Sequence, residues 1–222
     1  MKLIQIMQVQ HCKDIKNYCG QKKLPNNDIM KLEEGYGANY LHWKDFRFGS
    51  DSIINMYIHH KNDYMHNLLK EVKKEIIDYD SFVEEYLRKG YTIGGEIIFP
   101  KKGGFSINSK RGINKQIKDR FDLTIECIRR YYNNEYSPLT ETFNMNKDFF
   151  DLFEDFKGYI DYFLLQDIVS EDYSKVKFFI EFDNFNRNPY PLDVKEWFEL
   201  YNKQMEFLSK RNKRILQYIQ SI

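Results

Sequence analysis

"INSKRGINKQIKDRFDLTIECIRRYY", residues 107 to 132, decides how the rest of this chain is read. From about residue 117 to 133, Phe121, Ile125, Ile128 and Tyr132 return at spacings of four, three and four, the period of one buried helix face. Asp119, Asp122 and Glu126 run beside them as a parallel stripe, and Arg129 and Arg130 follow one turn on. Asp122 and Glu126 repel by about a few tenths of a kcal/mol if both face water, and Glu126 with Arg130 returns about as much. Acids near the start of the helix and bases near its end also suit its dipole. Two readings follow. The stripe is a solvated face with an intrahelical ion pair, or it faces other charged groups across a cleft. In the second case its carboxylates bind a cation, act as acid or base, or fix arginines that hold a phosphate.

Downstream, Pro138 breaks the chain and the pattern predicts helices over about 145–157 and 158–169. The second ends in "FLLQDIV" (163–169), with no polar face, so Gln166 and Asp167 are expected inside or at a cleft floor. A buried carboxylate needs a partner, and an arginine from elsewhere is the natural one. "SKVKFFIEFD" (174–183) reads as a strand, "NRNPYPLD" (186–193) as a loop, and 193–220 as one long closing helix. On that helix Trp197, Tyr201, Met205, Leu208, Ile215 and Ile219 form a stripe, with Asn212 in the slot between Leu208 and Ile215. An amide on an apolar seam signals a specific hydrogen bond. Arg211 and Arg214 flank it within "KRNKRI" (210–215), which otherwise complements the helix dipole.

Upstream, the first thirty-five residues are polar and irregular, with a turn at "LPNND" (24–28). "GANYLHWKDFRFGSDSI" (37–53) predicts two short aromatic-rich strands around Lys44-Asp45, running into a helix-capping cluster at Ser50, Asp51 and Ser52. A helix over about 64–78 is followed by "SFVEEYLRKG" (81–90), capped by Ser81 and stopped by Gly90. "YTIGGEIIFP" (91–100) is β-branched, and its paired glycines mark a bulge or a close backbone approach. In "INSKRG" (107–112), Gly112 suits a tight turn whose amides, with Lys110 and Arg111, make a candidate anion site, and Asn108 lies in the same stretch. The chain reads as a single α+β domain over 1–222, short strands in the N-terminal half packed on a mainly helical C-terminal half. Residues 1–20 are read as peripheral, and the Pro- and Gly-bearing stretch 100–106 as a weak seam.

The chain has 222 residues, enough for a sizeable core. Its 17% aromatic content argues against disorder. A net charge of +1 points neither to a DNA mimic nor to a general polyanion binder, so any nucleic-acid contact needs a local patch. Cys12, Cys19 and Cys127 form no tight pairing, and no stretch suits a signal peptide or a membrane span. A reducing cytoplasm is the expectation. The spacing of His59, His60 and His66 matches no strong zinc signature, and no metal site is assigned. There is no Walker loop, no G-x-G-x-x-G and no G-x-S-x-G elbow.

"YLHWKDFRFGSDSI", "GYTIGGEIIFP", "RFDLTIECIRRYY", "SPL", "DFFDLFEDFKGYIDYFLLQDIV", "SKVKFFIEFDNF" and "RNKRI" together resemble an uncharacterised family of bacterial proteins, a domain of unknown function. The similarity runs from about residue 20 to 215. It supports a single domain, lends no mechanism, and directs attention to Arg120, Asp122, Glu126, Arg129, Gln166, Asp167 and Arg211.

Two functions from different classes fit these residues. The first is an enzyme acting on a nucleotide or nucleic acid, by phosphodiester or by N-glycosidic and ADP-ribosyl chemistry. Asp122, Glu126 and Asp167 would supply the acid–base group or hold a Mg²⁺ ion. Asn108, Arg111, Arg120, Arg129, Arg130, Gln166, Arg211, Asn212 and Arg214 would bind the substrate. The second is a non-catalytic binding protein of a stress, defence or phage-encoded system, with a protein partner among its candidates and a buried charge network that is structural. Cleft geometry separates them: the enzyme needs at least two of these acids and two of these arginines around one opening.

Overall fold

The Lys44-Asp45 turn forms where the sequence predicts it, with Lys44 at φ 50°, and joins β2 (Ala38–Trp43) to β3 (Phe46–Ser52). The computed structural model describes residues 22–35, 38–54 and 63–221. Cys12, Cys19, His59, His60 and the expected peripheral N-terminus lie outside these. Three further strands, β1 (Lys31–Gly35), β4 (Glu96–Lys102) and β5 (Phe105–Ser106), complete an antiparallel sheet ordered β1-β2-β3-β4-β5. Leu41 faces Phe48 across β2 and β3, and Phe48 faces Pro100 across β3 and β4. The stretch 100–106 is the β4–β5 hairpin, turned at Gly103 with φ 57°. Lys31 to Gly35, read as irregular, pair with β2 instead.

Eight helices are present among the described residues: α1 (Asp63–Lys74), α2 (Tyr79–Gly90), α3 (Ile107–Ile113), α4 (Phe121–Tyr132), α5 (Thr140–Met145), α6 (Lys147–Phe150), α7 (Phe156–Tyr162) and α8 (Val194–Gln220). The fold is α+β, one domain, with a single hydrophobic core running from Leu24 to Leu208. On α4, Phe121, Ile125 and Ile128 are all buried, as the spacing predicts. The long α8 starts at Asp193, whose carboxylate accepts the Glu196 N–H at 2.8 Å while Glu196 accepts the Leu192 N–H at 3.0 Å, closing the N-terminus from both sides.

Several local expectations are corrected. Asp78, not Ser81, caps α2, accepting the Ser81 N–H at 3.1 Å. The Ser50–Asp51–Ser52 cluster belongs to β3, where Asp51 is held by Arg111. Residues 107–113 form a short helix in place of a glycine turn. The paired glycines do mark a close approach: a Cβ on Gly95 would lie 1.7 Å from the Gly90 carbonyl oxygen, and one on Gly94 would lie 2.6 Å from Asn212 Oδ1. The two helices expected over 145–169 break into α6, a 3-10 turn at Asp151–Phe153, α7 and a second 3-10 turn at Gln166–Ile168. The breaks sit at Glu154 (φ 66°) and Leu164 (φ 53°), and Asp155 re-starts the helix by capping Gly158 at 2.7 Å.

The largest correction is "SKVKFFIEFD". It forms no strand; a lone bridge joins Val176 to Val169. Its backbone polar groups are satisfied from elsewhere. Asp122 accepts the Phe179 N–H, Arg120 donates to the Ile180 carbonyl, the Ile168 carbonyl accepts the Lys177 N–H, and Lys203 donates to the Phe178 carbonyl. Asp122 belongs to α4, Arg120 directly precedes it and Lys203 belongs to α8, so the segment is clamped between helices and joins no ladder.

Candidate functional site

Arg120 and Asp122 flank the start of α4 and meet inside the protein, with side chains 1% and 0% exposed. Arg120 Nε donates to Asp122 Oδ1 at 3.1 Å and Nη2 to Oδ2 at 2.5 Å. Arg120 spends its remaining donors on the Ile180 and Pro189 carbonyls, and Asp122 Oδ2 also takes the Phe179 N–H at 2.9 Å. The pair is a fork–fork contact with nearly every lone pair and N–H used. Asp119, expected on the same stripe, precedes the helix at φ 61° and its carbonyl is held by Arg111 at 2.6 Å.

One turn further, Glu126 is 5% exposed and accepts from both Arg129 (2.9 and 3.0 Å) and Arg130 (2.8 Å). Arg129 also grips Glu135, at 3.2 and 3.0 Å, and the hydrogen bonds to Glu126, then to Glu135, raise its pKa above the ordinary guanidinium value. The same contact with Arg129 holds the Glu135 carboxyl below the usual carboxylate range. Arg130 reaches Asn184 Oδ1 and the Tyr136 carbonyl and lies 4.8 Å from the Phe185 ring centroid.

The other predicted residues are equally engaged. Arg111, 0% exposed, bonds Thr124 Oγ1 at 3.0 Å and Asp51 Oδ2 at 2.6 Å. Asn108 donates to the Gly49 and Ser50 carbonyls. Arg211, buried, donates to the carbonyls of Phe163, Gly94 and Glu96. Asn212 accepts the Gly94 N–H at 2.9 Å and donates to Thr92 Oγ1 at 2.8 Å, the specific bond expected of an amide on that seam. Gln166 donates to Asp161, and Arg214 makes a two-pronged contact with Asp167 at 3.0 and 3.1 Å. Asp167 thus does meet an arginine from elsewhere in the chain.

Of all these residues, Asp167 borders the cleft between the 177–179 segment and α8, which holds about 220 Å³. Ile168, Phe179 and Phe207 supply apolar lining, and Lys177, Lys203, Glu206 and Lys210 stand around its mouth. Asp122 sits behind the wall, holding Phe179 by its N–H, so the buried pair positions this cleft without facing it. A second cleft of about 500 Å³ shares Phe178 and Lys203 and carries Glu181, Glu196 and Glu199. A third, about 510 Å³, lies at the far end of α4 by Tyr131, Tyr136 and Glu135. Lys203, Glu206 and Phe207 escaped the sequence reading, although spacings of three and four put them on one helix face with Lys210, the first residue of "KRNKRI". Among the described residues no group of three or more His, Cys, Asp or Glu side chains is placed to hold a metal ion. None of the described helices is long and apolar enough to cross a membrane.

Residues 8–215 match the model of a family of unknown function (DUF6994), and the chain belongs to that family. No curated protein and no solved structure matches it.

Proposed function

We propose that this member of a family of unknown function is a non-catalytic binding protein, in which the arginine–carboxylate network maintains the fold and the cleft along α8 receives the ligand. One observation carries this reading: Asp122, the acid at the centre of the charged stripe, is 0% exposed and has its oxygens committed to Arg120 and the Phe179 N–H. A general acid or base must reach a substrate proton, and this carboxylate reaches only protein. The candidate phosphate-binding arginines support the same reading. Arg111 faces Asp51, Arg129 and Arg130 face Glu126, and Arg214 faces Asp167, so each is already matched.

Two linked measurements test it. Asp122→Asn and Glu126→Gln are expected to lower the melting temperature, because each neutralises an acceptor that buried or half-buried arginines depend on. Cells producing the intact chain are expected to keep their NAD, nucleoside triphosphate and RNA profiles. A fall in one of those pools that Glu126→Gln reverses, with the melting temperature preserved, would show catalysis and end the proposal.

A further inference from the structure

The two clefts along α8 meet at Phe178 and Lys203 and carry opposite charge at their ends. At one end Lys177, Lys203 and Lys210 surround Glu206. Lys210 bonds Glu206 at 2.5 Å, while the Lys177 ammonium is in no ion pair among the described residues. The Glu206 carboxyl is held below its usual range by the hydrogen bond from Lys210 and then by the charges of Lys210, Lys177 and Lys203. Asp167 also borders this end but is matched by Arg214. Three ammonium groups against Glu206 therefore leave an excess of positive charge here. At the shared edge the Phe178 ring stacks on Phe182, with centroids 4.1 Å apart and planes 19° from parallel. Beyond it Glu199 holds Lys203 at 2.7 Å.

Resting on the binding-protein reading, we propose that this groove binds a mononucleotide, with its phosphate among Lys177, Lys203 and Lys210 and its base against Phe178. The chemistry at each station matches. A phosphate monoester carries about −1.5 to −2 charges and three strong acceptor oxygens, which suits several ammonium donors better than the single charge of Glu206 does. An aromatic ring at the groove edge offers a stacking face to any base. When Lys203 turns to the phosphate, Glu199 is released, and a carboxylate, which only accepts, is the right partner for ribose hydroxyls. The clefts, about 220 and 500 Å³, fall together within the range of roughly 300–1,000 Å³ usual for small-molecule sites. Glu206 acts as a built-in competitor that the phosphate must displace.

The test uses the intact chain with adenosine monophosphate, inorganic phosphate and adenosine, followed by phosphorus NMR and equilibrium dialysis at low and high salt. Adenosine monophosphate is expected to bind more tightly than either fragment and to weaken as salt rises. Lys177→Gln and Lys210→Gln are each expected to weaken it about three- to tenfold, a loss of one charge-assisted hydrogen bond. Glu206→Gln is expected to tighten it, and Phe178→Ala to erase its advantage over inorganic phosphate. The lysines and Glu206 are exposed, so melting temperatures close to that of the unaltered chain will show that these variants fold. No binding by the intact chain, binding indifferent to the lysine substitutions, or inorganic phosphate binding as tightly as the nucleotide would each overturn the site. New phosphorus species appearing with a lysine-dependent affinity would instead support the site and end the non-catalytic reading.

Discussion

The two ends of α4 carry the same chemistry in different surroundings. At its start Arg120 and Asp122 are 1% and 0% exposed, and their spare donors and acceptors go to backbone of the 179–189 segment. At its end Glu126 is shared by Arg129 and Arg130, whose side chains are 16% and 15% exposed and have further partners in Glu135, Tyr136 and Asn184. Coulomb attraction between a guanidinium and a carboxylate is common to both. What differs is the fate of a partner left behind. At the end of the helix water and a second polar side chain remain within reach; at the start water is shut out and Arg120 keeps the Ile180 and Pro189 carbonyls. The buried pair is therefore a fastener for a chain segment, and the outer cluster is a redundant mesh.

That contrast sets the largest expected effect. Asp122→Ala leaves the Arg120 charge and the Phe179 N–H buried without their acceptor, a loss of about 3–5 kcal/mol by the usual cost of breaking a buried pair. Chemical denaturation of the variant measures it. Replacing both partners with apolar residues, Arg120→Met with Asp122→Leu, is expected to recover part of the loss, because no charge is stranded, but not all of it. The Phe179 N–H and the Ile180 and Pro189 carbonyls still lose their partners. Full recovery in the double variant would break the comparison, since the pair would then fasten nothing.

The same contrast explains what was legible in the sequence. The β2–β3 hairpin, the buried face of α4 and the span of α8 follow from periodicity and local turn chemistry, which act over a few residues. "SKVKFFIEFD" has the composition of a strand, but Asp122 and Arg120, more than fifty residues earlier, take backbone groups that a ladder would need. No local pattern encodes that. The charged stripe was legible as a special feature; its direction was not, because Asp122 turns inward only once the 179–189 segment lies over it. Asn212 shows the favourable case: a lone amide between Leu208 and Ile215 implied a specific bond, and Gly94 and Thr92 supply it. The lysine-edged cleft needed the fold, since Lys177 joins Lys203 and Lys210 from a different part of the chain.

At the redundant end of α4 a smaller effect is expected. Glu126→Gln keeps an acceptor oxygen but removes the charge shared by two arginines, and Arg129 retains Glu135 while Arg130 retains Tyr136 and Asn184. A loss of about 1–3 kcal/mol follows from the range for hydrogen bonds to charged groups. Denaturant midpoints of Glu126→Gln and of Glu126→Gln with Glu135→Gln sharpen the point. If the mesh is redundant, the double variant loses more than the two single losses added, because the second substitution removes the fallback partner of Arg129. Simple additivity would show that Glu135 backs up nothing.

The smallest effect belongs to Arg214 and Asp167, a two-pronged contact like that of Arg120 and Asp122, but with side chains 37% and 16% exposed. Arg214→Ala leaves Asp167 at the edge of a cleft that Lys210 also borders, so its charge is neither dry nor alone. A cost of about 0–1 kcal/mol is expected, the range of surface ion pairs. Salt distinguishes the two contacts more sharply than magnitude does. At about 1 M ionic strength the screening length falls to about 3 Å, which reaches a hydrated pair and not one enclosed by protein. The Arg214→Ala loss is therefore expected to vanish in high salt while the Asp122→Ala loss persists, because only in the second is the medium around the charges protein.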